Sequence, residues 1–188
     1  MKKLSIKEIL VPALSLFLIC LVVTALLAGT NLLTKDIIAE QSRLAEEQSR
    51  QLVLPEAKSF DQLTAGETVY YAGKDDGGSL VGYVFTTESK GYGGTLKVMT
   101  GIGADAQVHG VVLLSHSETP GLGANAEKED FRQQYQQAAP ENGFEVVKAT
   151  PAEGQIEAMT GATISSKAVT EAVNQAVALF HQVEKGGN

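Results

Sequence analysis

The sequence predicts an α+β fold preceded by a single N-terminal membrane helix and a stalk, and three observations carry that prediction. Residues 9–29 hold no charged side chain, four β-prone runs then succeed one another at hairpin distance, and the chain closes on a long run with helical spacing. The first of these is long enough, as a helix, to cross a hydrocarbon core of roughly 30 Å. Pro12 is expected in its first turn, where a missing N–H does no harm. Lys2, Lys3 and Lys7 precede the span, so the positive-inside tendency keeps residues 1–8 in the cytoplasm and sends everything after Gly29 outside. A cleaved signal peptide is the alternative, because Ala25-Leu26-Leu27-Ala28 has the small residues of a cleavage site. The apolar run exceeds the usual signal core of about 7 to 15 residues, which favours a retained anchor. Cys20 lies in mid-span, and a single cysteine allows no internal disulfide.

Residues 30–55 continue as a helical stalk: Leu32, Leu33, Ile37, Ile38, Leu44 and Leu52 recur at loose helical spacing among charges, and Pro55 ends the run. Residues 56–188 form the outer domain. Its strands are expected at 68–72, 80–86, 95–102 and 108–115, separated by Asp75-Asp76-Gly77-Gly78, Ser89-Lys90-Gly91-Tyr92-Gly93-Gly94 and Gly103-Ala104-Asp105-Ala106-Gln107, which are turn compositions. Consecutive strands so joined make an antiparallel meander. A loop at 117–125 leads to a short helix at 127–137 with Phe131, Tyr135 and Ala138 on one stripe. Strands at 144–148 and 155–159 and a closing helix at 165–183 complete the domain.

The formal net charge is −7, and the first eight residues carry three Lys and one Glu, so the remainder carries −9. An acidic outer domain argues against nucleic acid and against anionic headgroups, both of which need clustered Lys and Arg. His109, His116 and His181 are scattered and Cys20 lies in the span, so no metal site is expected. His116 beside Glu118 reads as a proton shuttle or as an ordinary loop histidine, and His181 as a partner for the C-terminal dipole of the last helix.

Three segments pair small residues with hydroxyls: Gly91-Tyr92-Gly93-Gly94, Ser117-Glu118-Thr119-Pro120-Gly121-Leu122-Gly123 and Thr160-Gly161-Ala162-Thr163. Glycine lets a ligand approach the backbone, and the last segment opens a helix whose N-terminal N–H groups and dipole favour an anion such as a phosphate. On spacing alone, all three also read as plain turns and an N-cap. The first is no dinucleotide fingerprint, since a strand follows it, and no phosphate-loop lysine motif is present.

In order along the chain, the anchor, Leu52-Val53-Leu54-Pro55, Lys90-Gly91-Tyr92-Gly93-Gly94, His116-Ser117-Glu118-Thr119-Pro120-Gly121-Leu122-Gly123 and Glu157-Ala158-Met159-Thr160-Gly161-Ala162-Thr163 resemble the FMN-binding domain family. That family occurs in the G subunit of Rnf-type ion-translocating electron transport complexes and in the C subunit of the sodium-pumping NADH:quinone reductase. The short single-span format is similar to the G subunit. The resemblance implies FMN held covalently through a phosphoester to Thr163, attached by a separate flavin transferase that consumes FAD and releases AMP. It implies Thr160, Gly161 and Ala162 around the phosphate, and Glu118, Thr119, Leu122 and Gly123 near the ring. It further implies an electron carrier among other membrane subunits that move Na⁺ or H⁺. Two departures stand out: Glu157 replaces the usual Asp, and Tyr135-Gln136-Gln137-Ala138 stands where a Phe-x-Gly-Lys-like segment is common. The rival class is a membrane-tethered binding or sensing domain in which Thr163 only caps a helix; a stand-alone flavin reductase fits less well, because nothing resembles a nicotinamide-binding module.

Overall fold

The computed structural model describes residues 6–186 apart from Glu67. Lys2 and Lys3, on which the expected orientation partly rests, lie outside the described residues. The chain divides into two compact units, Met1–Leu44 and Ala45–Asn188.

The first unit is the greater part of helix α1, Ile6–Val53, whose 48 residues well exceed the roughly 20 that a span needs. Its apolar residues point all round the axis: Leu16, Phe17 and Ile19 are each more than 60% exposed among the described residues. Such a surface is stable in lipid, where the helix satisfies its own backbone groups. Hydroxyls within the run follow the same rule, Ser15 Oγ donating to the Val11 carbonyl at 2.9 Å and Thr30 Oγ1 to that of Leu26 at 2.9 Å. Pro12 departs from expectation. The helix already runs at Ile6, so Pro12 lies inside it and one ladder hydrogen bond is missing.

The second unit is built on an antiparallel meander of five strands, β1 Ser59–Ala65, β2 Thr68–Lys74, β3 Leu80–Lys90, β4 Thr95–Gly103 and β5 Val108–Ser115, in that spatial order. The closing helix α3, Thr163–Gly186, lies on one face of the sheet. Ala168, Ala172 and Ala176 on one row, and Val169, Val173 and Val177 on the next, give it a buried stripe at helical spacing that ends on Phe180. Small residues bring the helix close enough for Thr87 Oγ1 and Ser89 Oγ of β3 to donate to the Ala172 and Ala168 carbonyls, at 2.8 and 2.6 Å. The opposite face carries a second core, in which Val53, Leu54 and Ala57 meet Val84 and Met99. Gly101 and Gly110 are paired across β4 and β5, and a Cβ on either would strike the backbone of Val53. The last turns of α1 therefore belong to the second unit, which begins at Ala45 rather than at residue 56.

Two elements differ from the sequence expectation. Strand β1 is additional to the expected four; its Ser-Phe-Asp-Gln-Leu-Thr-Ala sequence lies at the sheet edge and shows no apolar alternation. The helix expected at 127–137 is instead a 3₁₀ turn at Gly123–Glu127, a single α-turn α2 at Glu129–Arg132 and a further 3₁₀ turn at Gln133–Tyr135. Its backbone bends because it must cover the β5 edge: Arg132 Nη1 donates to the Val111 carbonyl, Val108 N–H to that of Gln137 and Ala139 N–H to that of Ala106. Phe131 and Tyr135 are buried as the stripe predicts, but Ala138 is exposed, its backbone bridging Gln107. The two short strands are β6 Glu145–Val147 and β7 Gln155–Glu157, and they pair in parallel.

Candidate functional site

The three glycine-rich segments converge on one cavity of about 530 Å³ in the second unit, within the range of roughly 300–1,000 Å³ common for small-molecule sites. The β3–β4 turn contributes Tyr92, the loop after β5 contributes Glu118, Thr119, Leu122 and Gly123, and the start of α3 contributes residues 161–165. Tyr92, Leu122 and Ile164 are large apolar groups left 73, 45 and 57% exposed, so the mouth of the cavity is apolar and uncovered.

Thr163 occupies the first helical position rather than the cap. The Ala162 carbonyl accepts from Ser166 N–H at 2.9 Å, which makes Ala162 the N-cap, a residue with no side-chain oxygen to offer the free N–H groups. Ser166 Oγ holds this entry from behind, donating to the Ala162 carbonyl at 3.0 Å and accepting from Met159 N–H at 3.0 Å. Gly161, at φ +75°, turns the chain into the helix. Among the described residues, the N–H groups of Thr163, Ile164 and Ser165 and the Thr163 hydroxyl have no hydrogen-bond partner. A 24-residue helix thus presents an uncapped N-terminus and a free hydroxyl to one cavity, the arrangement a phosphate monoester requires.

Glu118 is buried, 6% exposed, and both of its carboxyl oxygens are engaged. Oε1 accepts from Gly93 N–H at 3.1 Å and Oε2 from Ser165 Oγ at 2.5 Å. His116 anchors the same loop: Nδ1 accepts from Glu118 N–H at 3.1 Å and Nε2 faces Glu127 Oε1 at 2.9 Å. Both ring nitrogens are thereby used in holding structure, which is the ordinary-histidine reading of His116. His181 departs from its expected role. The helix runs on to Gly186, so the orphan carbonyls lie beyond it, and its Nε2 is buried without a partner among the described residues while the ring meets Phe180 at 5.5 Å.

Of the residues singled out in the sequence, Glu118, Thr119, Leu122, Gly123, Gly161, Ala162 and Thr163 come together at the cavity. Thr160 does not: beyond the Gly161 turn it lines a separate groove with Glu157, Met159, Lys128 and Phe131. Sequence reasoning placed Tyr92 within a glycine-rich segment and Ser165 at the start of the closing helix without naming either as a site residue, and it passed over Ile164. An aromatic isolated among three glycines was the available signal for Tyr92.

The FMN-binding domain model matches residues 91–178, and the model of the RnfG N-terminal region matches residues 1–53. The fold and the cavity thus define a membrane-anchored FMN-binding domain protein. Over 87% of its length the chain is 34% identical to the G subunit of the proton-translocating ferredoxin:NAD(+) oxidoreductase complex of Clostridium ljungdahlii, covering 86% of that protein. Over 92% it is 36% identical to the G subunit of the Na(+)-translocating ferredoxin:NAD(+) oxidoreductase complex of Acetobacterium woodii, covering 91% of that protein. The chain belongs to the G-subunit family of ion-translocating oxidoreductase complexes, and it is a membrane protein. The same fold occurs in the crystal structure of the C subunit of the Na(+)-translocating NADH-quinone reductase of Parabacteroides distasonis, with TM-score 0.57, 18% identity and coverage of 73% of this chain and 91% of that one.

The residues present fit FMN. Free N–H groups and a hydroxyl stand at the helix start for the phosphate, and apolar side chains at the cavity mouth suit an aromatic ring.

Proposed function

We infer that this chain is the electron-carrying G subunit of a membrane complex that couples ferredoxin:NAD-type oxidoreduction to Na⁺ or H⁺ translocation, with FMN joined through its phosphate to Thr163 Oγ1. The observation that carries this reading is the unpartnered Thr163 hydroxyl at the first position of an uncapped helix, inside the cavity. Attachment needs no base within the chain when a separate flavin transferase supplies it. The Thr163 oxygen takes the phosphoryl group of the FMN half of FAD, the bond to the AMP half breaks, and the hydroxyl proton leaves with AMP. Glu157, which is exposed and faces the neighbouring groove rather than the cavity, is placed to meet that transferase. When bound, the flavin supplies one- and two-electron chemistry. The N–H groups of Ile164 and Ser165 hold the phosphate, and Tyr92, Leu122 and Ile164 shield the ring from water. The uncovered mouth leaves an edge for neighbouring membrane subunits. The chain crosses the membrane once, N-terminus inside and flavin domain outside, where a dissociable cofactor would be lost.

Peptide mapping by mass spectrometry after co-expression with a flavin transferase tests the attachment. A mass gain of one FMN less water is expected on the peptide containing Thr163. No gain on any residue would leave a tethered binding domain as the better reading.

A further inference from the structure

We propose that Glu118 and Ser165 form a clamp that sets the shape of the cavity and the pose of the Thr163 hydroxyl, with Glu118 a positioning residue that acts through its two hydrogen bonds. The proposal deepens the flavin reading of the cavity and rests on it. Three segments far apart in sequence wall the cavity, and Glu118 is the side chain that joins them, reaching Gly93 of one turn and Ser165 of the closing helix from the loop after β5. Each anchor point adjoins a wall residue. Gly93 follows Tyr92, Glu118 precedes Thr119, and Ser165 lies two positions after Thr163 on the same helical turn.

Gly91 and Gly123 make room for this carboxyl, and Gly93 for the backbone that carries it. A Cβ on Gly91 would strike Glu118 Oε1, one on Gly93 the Ser117 carbonyl, and one on Gly123 both Glu118 Oε2 and Ser165 Oγ. Ser166, the next residue, holds the turn from the other side, so the two serines grip the helix entry between them. With both oxygens engaged, the Glu118 carboxyl fixes walls, and the ring edge is left to Thr119 and to backbone groups. A buried hydrogen bond to a carboxylate is stronger than a neutral one, and removing one partner leaves the other unsatisfied.

Two measurements on the full-length chain test this. In a Thr163→Val background, which takes no flavin, Glu118→Ala and Ser165→Ala are each expected to raise the unfolding equilibrium constant of the outer domain at least about tenfold, and the double variant by no more than Glu118→Ala alone, because Glu118→Ala already removes the bond to Ser165 together with the one to Gly93. With Thr163 intact, at a temperature where every variant is folded, FAD and a purified flavin transferase provide the second readout. Glu118→Ala and Ser165→Ala are each expected to slow attachment roughly tenfold with no further loss in the double variant, and Glu118→Gln to restore most of the rate, since an amide can accept from Gly93 and donate to Ser165 Oγ. Independent, multiplying effects in both measurements would overturn the clamp, as would full-rate attachment in Glu118→Ala. If the unaltered chain accepts no flavin, the flavin reading fails, while the unfolding cycle still decides whether the clamp exists.

Discussion

Tyr135 is wholly buried, and its hydroxyl lies 2.7 Å from Thr170 Oγ1. Thr170 already donates to the Ser166 carbonyl at 2.9 Å, so the phenol is the donor. Burial pushes the Tyr135 hydroxyl well above the ordinary phenol value. Because the folded-state value lies above the unfolded one, this contribution is fully present below about pH 10 and is lost as the pH climbs from there toward the folded-state value. Tyr135→Phe is expected to cost about 1 kcal/mol near neutrality from the lost hydrogen bond, and to flatten the alkaline decline. Thermal melts across that pH range check both. Gly123→Ala is expected to cost about 1–3 kcal/mol by overpacking, because its Cβ would displace Glu118 and Ser165 together; denaturant unfolding measures it. At this scale the site was legible wherever its residues are contiguous, as in residues 118–123 and 161–163, while Thr160 falls in the neighbouring groove. Ser165 was not legible, because its partner Glu118 is 47 positions away and nothing local marks the pair.

The decisive element is α3. Its inner face is ordinary packing, and Phe180→Ala should cost about 3–5 kcal/mol in thermal or denaturant unfolding. Its N-terminus is unusual in having Ala162 where Ser, Thr, Asp or Asn would stabilise the helix. Ala162→Ser is therefore expected to stabilise the flavin-free chain by up to about 1 kcal/mol while slowing flavin attachment, since the new oxygen competes for the N–H groups that a phosphate would use. Melting temperature and attachment rate should move in opposite senses; a gain in both would contradict the anion role of this helix end. The meander was readable because each turn carries its own glycine or aspartate chemistry, Asp75 Oδ1 accepting from both Gly77 and Ser79 N–H at 2.8 Å being one instance. Strand β1 was not, because an edge strand needs no alternation. The 127–137 segment misled because Phe131 and Tyr135 have helical spacing, whereas their backbone is shaped by the β5 edge that it covers.

For the whole molecule, the boundary between anchor and domain follows packing rather than composition. Val53 and Leu54 are wholly buried against the sheet, Arg50 lies over the Tyr71 ring at 4.2 Å, and Lys97 pairs with Glu46 at 2.7 Å. The ion pair is about one-third exposed at both ends and contributes little; the two apolar side chains are worth about 1.5–3 kcal/mol each. A chain beginning at Ala45 is expected to fold and accept flavin, while one beginning at Glu56 should be destabilised by several kcal/mol, as calorimetry would report. The most direct test of the central claim is flavin fluorescence in a denaturing gel. Full-length chain co-expressed with a flavin transferase should give a fluorescent band that vanishes in a folded Thr163→Val variant; a dark band from the unaltered chain, or a bright one from the variant, would contradict the account.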